Sequence, residues 1–390
     1  MMARRLLLVS DEMEVGGSQR QISYLLGGLD RARWQPELLF FRSESFLVHE
    51  LRAQGIRVHH LPKRGRFDLG FVLRYAALLR QGRYDLVHAY SLTAELWTAV
   101  ARWLVANAPR QVSSVRNLYL DKSPLFWGLK RFALLRSAAV ISNSRAAAAA
   151  TAAEVKLPME RFDFVANGIA SAQPLATLER AQLRQALGVP EGRTFGLFVG
   201  RLVEQKNLRC LVRALLALPA QDRPWIALAG HGPLDRELQH LCEAAGLRED
   251  MHFLGERSDA PRLMQAADFL VLPSFHEGMP NVVMEAMSVG CPVIASQVGG
   301  TPELVEHDAT GLLFRSDDSD ALAAQLRRLV AEPALRARLG RESAARIRSR
   351  YSIARLVDAT VAVYERCLRA DTHAAPESRQ VTQPKLGGGA

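Results

Sequence analysis

The chain has 390 residues, 48% of them hydrophobic and 23% charged, a globular composition too long for one ordinary core and divided naturally into two domains of under ~200 residues each. No run approaches the ~18 apolar residues of a membrane span, residues 6–9 read as a first strand rather than a secretion signal, and Cys210, Cys242, Cys291 and Cys367 share no paired spacing, which argues against a disulfide framework or structural zinc and suits a reducing cytoplasm. The net charge of +10 lies wholly in residues 1–170, with 24 Lys+Arg against 14 Asp+Glu, while residues 171–390 hold 26 of each; either an acidic partner or surface faces the first half, or its arginines are solvated faces.

After the first strand, Gly16 and Gly17 precede an apolar pattern at Ile22, Leu25, Leu26 and Leu29. A glycine pair between strand and helix allows close backbone approach and leaves free amides, which suits a phosphate or sugar, although a plain helix-start turn explains it equally. Strands are expected at 37–41 and 57–61, and YDLVHAYSLTAELWTAVARWL reads as strand, loop and helix. His88 and Tyr90 stand at that strand's carboxyl end, where His88 reads as a hydrogen-bonded structural residue. Residues 112–115 form another strand leading into Arg116 and NLYLDKSPLFWGLKRFALL. Aromatics beside Lys122, Lys130 and Arg131 suggest an acceptor loop, a membrane-facing edge or an interdomain packing helix. AAVISNS is a strand, and residues 146–153 are helical by alanine propensity.

Residues 170–192 cross to a second domain, which opens with a buried strand at 195–199, then Gly200, Arg201, and Lys206 at the start of the next helix. Two fixed cations at a strand edge can neutralise a diphosphate and the charge it develops on departure, or merely cap the sheet edge. Residues 267–305 then read strand, loop, helix, strand, a βαβ unit whose nearly continuous apolar runs imply parallel strands, with a ligand beyond their carboxyl ends. Glu277 sits in that loop and Glu285 on an otherwise core-like helix, where sugar hydroxyls could satisfy it as donors. Pro280 fits that helix's first turn, so the amides of Met279, Asn281 and Val282 form an anion site. Gly299 and Gly300 let backbone approach a ligand, and Thr301, Pro302 and Glu303 supply a cap, a first-turn proline and a first-turn acid. The bland alternative is a parallel-sheet core with one solvated glutamate. Asp318 and Asp320 read as a helix cap and first-turn acid rather than a metal motif, so no metal is expected. Residues 351–370 form a last amphipathic helix, and the polar tail 371–390 is expected to be disordered.

These residues resemble the retaining glycosyltransferases of family 4. The resemblance is carried by E-G-x-P-x-x-x-x-E at Glu277, Gly278, Pro280 and Glu285, then by A-x-x-x-G-x-P-V-I-A, G-G-x-x-E and G-L-L-F. It extends through G-R-L-x-x-x-K-N, at Arg201 and Lys206, to most of the chain. The resemblance implies an α/β chain of GT-B fold. Two facing Rossmann-like domains, 1–170 and 171–351, would enclose a cleft, with a helix at 352–370 crossing back onto the first. It implies that Arg201 and Lys206 hold the donor diphosphate, and that Gly16 and Gly17 face it across the cleft. The turn at Leu254 would hold the nucleobase through backbone groups, while Gly278, Met279, Pro280, Asn281 and Val282 bind the donor. Glu277 would orient the sugar and Glu285 the ribose. The family usually has His-x-His, whose second histidine contacts the transferred sugar, where this chain has His88 and Tyr90; a tyrosine hydroxyl could hydrogen-bond there but holds no charge at pH 7, so no catalytic histidine is assigned, and Tyr90 and Arg116 are placed on the acceptor side. Ala170 stands where the family's linker carries an acid, and His231 where an acid is more usual.

The expected activity is therefore retaining transfer of a sugar from a nucleotide-diphosphate sugar, UDP-sugar first, to an acceptor hydroxyl. Neither metal nor cofactor is expected. Acceptor glycans or lipid-linked saccharides, and an anionic membrane surface at the inner face of the plasma membrane, are the expected partners; nucleic acid is not. A nucleotide-sugar 2-epimerase and a non-catalytic nucleotide-sugar-binding protein share the architecture. A dinucleotide-dependent oxidoreductase is disfavoured because no G-x-G-x-x-G follows the first strand.

Overall fold

Short apolar runs punctuated by glycine, proline and caps become parallel strands when helices cover both sheet faces. The computed structural model, which describes residues 3–14, 16–65, 68–170 and 174–369, has two such sheets. The first contains β1 (Arg4–Val9), β2 (Trp34–Phe40), β3 (Arg57–His60), β4 (Leu86–Ala89), β5 (Arg110–Val115), β6 (Ala139–Ser142) and β7 (Phe162–Phe164). Their spatial order is β3-β2-β1-β4-β5-β6-β7. The second contains β8 (Phe195–Val199), β9 (Trp225–Ala229), β10 (Met251–Gly255), β11 (Phe269–Leu272), β12 (Val293–Ser296) and β13 (Leu312–Phe314), ordered β10-β9-β8-β11-β12-β13.

Strand order reverses between β1 and β4, and again between β8 and β11. At such a reversal the flanking helices leave opposite faces of the sheet and open a crevice at the carboxyl ends of the strands. Gly16, Gly17 and Tyr90 follow β1 and β4; Arg201 and Glu277 follow β8 and β11. Both crevices are thus lined by residues that the sequence nominated.

The helix Ile353–Arg369 returns to the first sheet. Tyr364 stacks obliquely on Trp34 with ring centroids 5.5 Å apart, Arg33 pairs with Glu365, and Ser352 bridges Ile169. Most strand expectations hold to within a residue or three. β7 falls in RFDFVANGIAS, the stretch similar to the family's V-x-N-G-I-D linker, where no strand was expected because three residues are too few to display a period. The expected disordered tail lies outside the described residues.

Several local readings need correction. Pro280 is the cap residue, not a first-turn residue, of the helix Asn281–Ser288. Lys206 does not open a helix: it closes a 3₁₀ turn, Glu204–Lys206, and Asn207 in the left-handed region (φ 47°) separates it from the helix Leu208–Leu216. Gly300, not Thr301, caps the four-residue helix Thr301–Leu304, and the Thr301 hydroxyl is buried without a partner. Asp318 does cap its helix, accepting from the Ala321 amide at 2.8 Å.

Candidate active site

The loop after β11 is anchored to the turn after β8. Phe275 N–H donates to the Gln205 carbonyl and the Gln205 amide to the His276 carbonyl, both at 2.8 Å. These fix Glu277 against Lys206, whose Nζ lies 2.6 Å from Oε1; Ser274 Oγ donates to the same oxygen at 2.7 Å. Sequence reading treated the two as separate contacts to a donor, whereas they form one half-buried ion pair. Arg201, by contrast, is exposed at the carboxyl end of β8 and makes no ion pair among the described residues. Its field reaches Glu12 beyond β1, whose carboxyl is raised by burial and by Asp11 and Glu14, against lowering by Arg42 and Arg201.

Gly299 and Gly300 have a different use from the one expected. A Cβ on Gly299 (φ +52°) would lie 1.8 Å from the Glu277 carbonyl, and one on Gly300 2.2 Å from that of Gly278. The Gly300 amide donates to the Gly278 carbonyl at 2.7 Å. These glycines bring backbone to the Glu277 loop.

The two halves of the chain meet here. The Asn281 amide donates to the Gly17 carbonyl at 2.9 Å, so the starts of the helices Gly17–Gly28 and Asn281–Ser288 face one another. Their unpaired first-turn amides and macrodipoles make a positive region suited to an anion. Asn167 connects them further, donating to Asn281 Oδ1 at 2.6 Å and to the Met279 carbonyl at 3.3 Å. Gln21 bonds both ways to the Gly168 backbone at 2.8 Å. Sequence reading missed Gln21 and Asn167; Asn167 stands in the N-G-I motif that signalled only a linker.

Of the remaining nominated residues, Val282 and Glu285 lie on the same helix. Burial raises the Glu285 carboxyl above the usual range, opposed by Arg20, and its side chain has no hydrogen-bond partner among the described residues. Met279 is buried. Leu254 is half-buried in β10, beside an irregularity in its pairing with β9. His231 is exposed and bonds Asp235 at 2.7 Å. His88 is fully enclosed, with its ring nitrogens 2.6 Å from Tyr364 and 2.8 Å from Ser114; burial lowers its pKa well below the usual value, so it is neutral and structural. Tyr90 is buried and its phenol pushed up to about 12. Arg116 stacks over it, 5.4 Å from the ring centroid.

The basic aromatic segment differs most from expectation. Lys130 is wholly buried, paired with Glu95 at 2.7 and 2.8 Å. Arg131 closes the carboxyl end of the helix Arg145–Val155 by donating to the Val155 and Lys156 carbonyls. Arg131, though engaged in this way, stays exposed, as does Lys122 beside exposed Leu120, Leu125 and Leu129. The helix Pro124–Leu135 packs chiefly on the helices Leu92–Trp103 and Arg145–Val155 of the first domain, and its Phe126 lines a cavity with Gln205, His276 and Gly278. No helix among the described residues is long and apolar enough to cross a membrane.

Residues 15–173 match the family described as Glycosyltransferase Family 4, and residues 179–346 match Glycosyl transferases group 1. An uncharacterized glycosyltransferase of Methanocaldococcus jannaschii is 25% identical over 82% of this chain and 84% of its own. A D-inositol 3-phosphate glycosyltransferase of Salinispora arenicola is 30% identical over 75% of this chain and 71% of its own. Among solved structures, Anabaena HepE in complex with UDP and glucose superposes with a TM-score of 0.84 at 23% identity, over 93% of this chain and all of that one.

Proposed function

Because the chain belongs to the family 4 glycosyltransferases and has their two-domain GT-B fold, we propose that it moves a hexose or related sugar from a UDP-sugar to an acceptor hydroxyl with retention of configuration. The observation that carries this reading is the convergence at the two facing crevices of exposed Arg201, the Lys206–Glu277 pair and two opposed helix starts. A diphosphate needs such a set of fixed cations and amides, and a departing diphosphate needs it more. HepE, which has this fold, was crystallised with UDP and UDP-glucose, and this supports the choice of nucleotide.

In this mechanism the bond from anomeric carbon to phosphate oxygen breaks as the acceptor oxygen bonds the same face. The acceptor's proton passes to the departing phosphate, held by Arg201, Lys206 and the amides of Asn281 and Val282. Glu277, held in place by Lys206 and Ser274, accepts hydrogen bonds from sugar hydroxyls, and Glu285 accepts from the ribose. The backbone near Leu254 holds the base. Gly16 and Gly17 cover the phosphates from the other domain, and Tyr90 lines the acceptor side. The fixed cations take the place of a divalent ion, and the acceptor belongs to cell-surface polysaccharide, lipopolysaccharide or glycolipid synthesis at the cytoplasmic membrane face.

Thermal-shift screening against nucleotide sugars, followed by product NMR, tests the reading. A bound donor at 100 times its dissociation constant stabilises by about 2.7 kcal/mol. Stabilisation by UDP and an axial product from an axial donor are expected; inversion, or release of an epimerised nucleotide sugar without acceptor, would refute it.

A further inference from the structure

Six ordinarily ionised side chains are buried among the described residues: Glu37, Glu95, Arg116, Lys130, Asp250 and Glu277. Five face an opposite charge. Glu37 has Arg5, Glu95 and Lys130 have each other, Asp250 has Arg193 and Arg223, and Glu277 has Lys206. Arg116 is the exception. The ionisable groups near it are the phenols of Tyr90, Tyr364 and Tyr119, all raised by burial and neutral at pH 7, and His88, which burial and Arg116 itself keep neutral. Its guanidinium makes one hydrogen bond, from Nη2 to Asn167 Oδ1 at 2.7 Å, and its Nε is buried without a partner. An enclosed charge without a counter-charge is costly, and chains keep such charges where something binds them.

Position tells what binds. Asn167 ties Arg116 to Met279 and Asn281, at the helix start facing Gly17. A Cβ on Gly278 would lie 2.4 Å from the Arg116 carbonyl. Tyr90, under the guanidinium, has no hydrogen-bond partner for its own hydroxyl among the described residues. A cavity of about 360 Å³ bounded by Asn117, Tyr119, Lys122, His276 and Gly278 begins at the next residue.

We propose that Arg116 receives an anionic group, a carboxylate or phosphate, borne by one of the two substrates, so that its missing counter-charge arrives with the reactants. The inference rests on the transferase reading above. The guanidinium's unpartnered Nε, with an adjoining Nη, offers the parallel donors that such groups accept, and Tyr90 supplies a further hydroxyl.

Calorimetry on the full chain tests it in two arms. UDP-glucuronate against UDP-glucose places the anion on the transferred sugar. Glucose 6-phosphate against glucose, at saturating UDP, places it on the acceptor. In one arm the acidic probe should bind at least ~30-fold more tightly than its neutral counterpart. That preference should fall to within about threefold in Arg116→Gln and survive in part in Arg116→Lys, because the charge remains while the fork is lost. UDP affinity, which reports an intact donor site, should change less than about threefold in both variants. Equal binding of acidic and neutral probes in both arms, or a preference that persists in Arg116→Gln, overturns the inference. So does loss of UDP affinity in both variants, which would make Arg116 a structural residue. Failure of the unaltered chain to bind UDP would instead sink the transferase reading, and this inference with it.

Discussion

Lys206 Nζ is bonded directly to Glu277 Oε1, and this should make their contributions to the proposed transfer non-additive. In the proposed mechanism, Lys206→Met removes a cation from the leaving group and Glu277→Gln an acceptor for the sugar; each should lower kcat by ~10²–10³, or about 2.7–4 kcal/mol. Independent losses would multiply to ~10⁴–10⁶. The 2.6 Å contact between Nζ and Oε1, however, leaves each partner misplaced once the other is gone. A charge-assisted bond of this kind is worth about 1.5–3 kcal/mol. The double variant should therefore be about 10- to 150-fold more active than the product of the single losses predicts. Initial rates at saturating donor for the four proteins, with urea unfolding as a control, measure the coupling. A double variant within about twofold of the multiplicative value would refute the shared-pair reasoning.

Four other outcomes follow from the structure. Lys130→Met should cost about 3–5 kcal/mol in urea unfolding because it strands buried Glu95, while Glu95→Leu with Lys130→Met should restore most of it; a single variant within 1 kcal/mol of the parent, roughly, would contradict the burial. For Glu37, burial alone would raise the carboxyl, but hydrogen bonds from His59, Tyr84 and Arg5 bring it from 4.5 down to about 2, so its contribution is complete above about pH 4.5 and is lost as pH falls towards 2. Glu37→Gln should accordingly lose about 2–3 kcal/mol at pH 7, with the gap closing at acid pH; a constant gap would show that the charge is not what matters. Transfer should persist in excess chelator, and rescue of a chelated, inactive enzyme by magnesium or manganese would reopen Asp318 and Asp320. With Lys130 buried and Arg131 engaged, sedimentation with anionic liposomes should be weak and abolished by Lys122→Glu, each surface cation contributing roughly 1 kcal/mol; strong, salt-insensitive sedimentation would mean that another surface docks.

The second domain was the more legible half because its signals are local. The strands β11 and β12 are continuous apolar runs, and Glu277, Pro280 and Glu285 fall within nine residues of one another. What sequence concealed is long-range. Lys130 sits among aromatics and reads as a surface cation, yet its partner is 35 residues upstream on another helix; the one hint was Glu95, the single charged residue of LTAELWTAVA. Asn167 and Gln21 gave no sign of their long-range bonds, since an amide carries no periodic or charge signature. Gly299 and Gly300 were recognised as sites of close approach, but a glycine's spacing cannot say whether the approaching atoms belong to a ligand or to another loop.

That backbone stacking limits how such an enzyme can diversify. Positions 278, 299 and 300 each press a missing side chain against another chain segment, so any substitution acts as a wedge before it can touch a substrate. The floor that these segments form is in effect frozen in composition, and variation in what the proposed cleft accepts has to be written elsewhere. Tyr90, Arg116 and residues 117–122 meet their surroundings through side chains instead, and there a lineage could change its proposed substrate by ordinary point mutation.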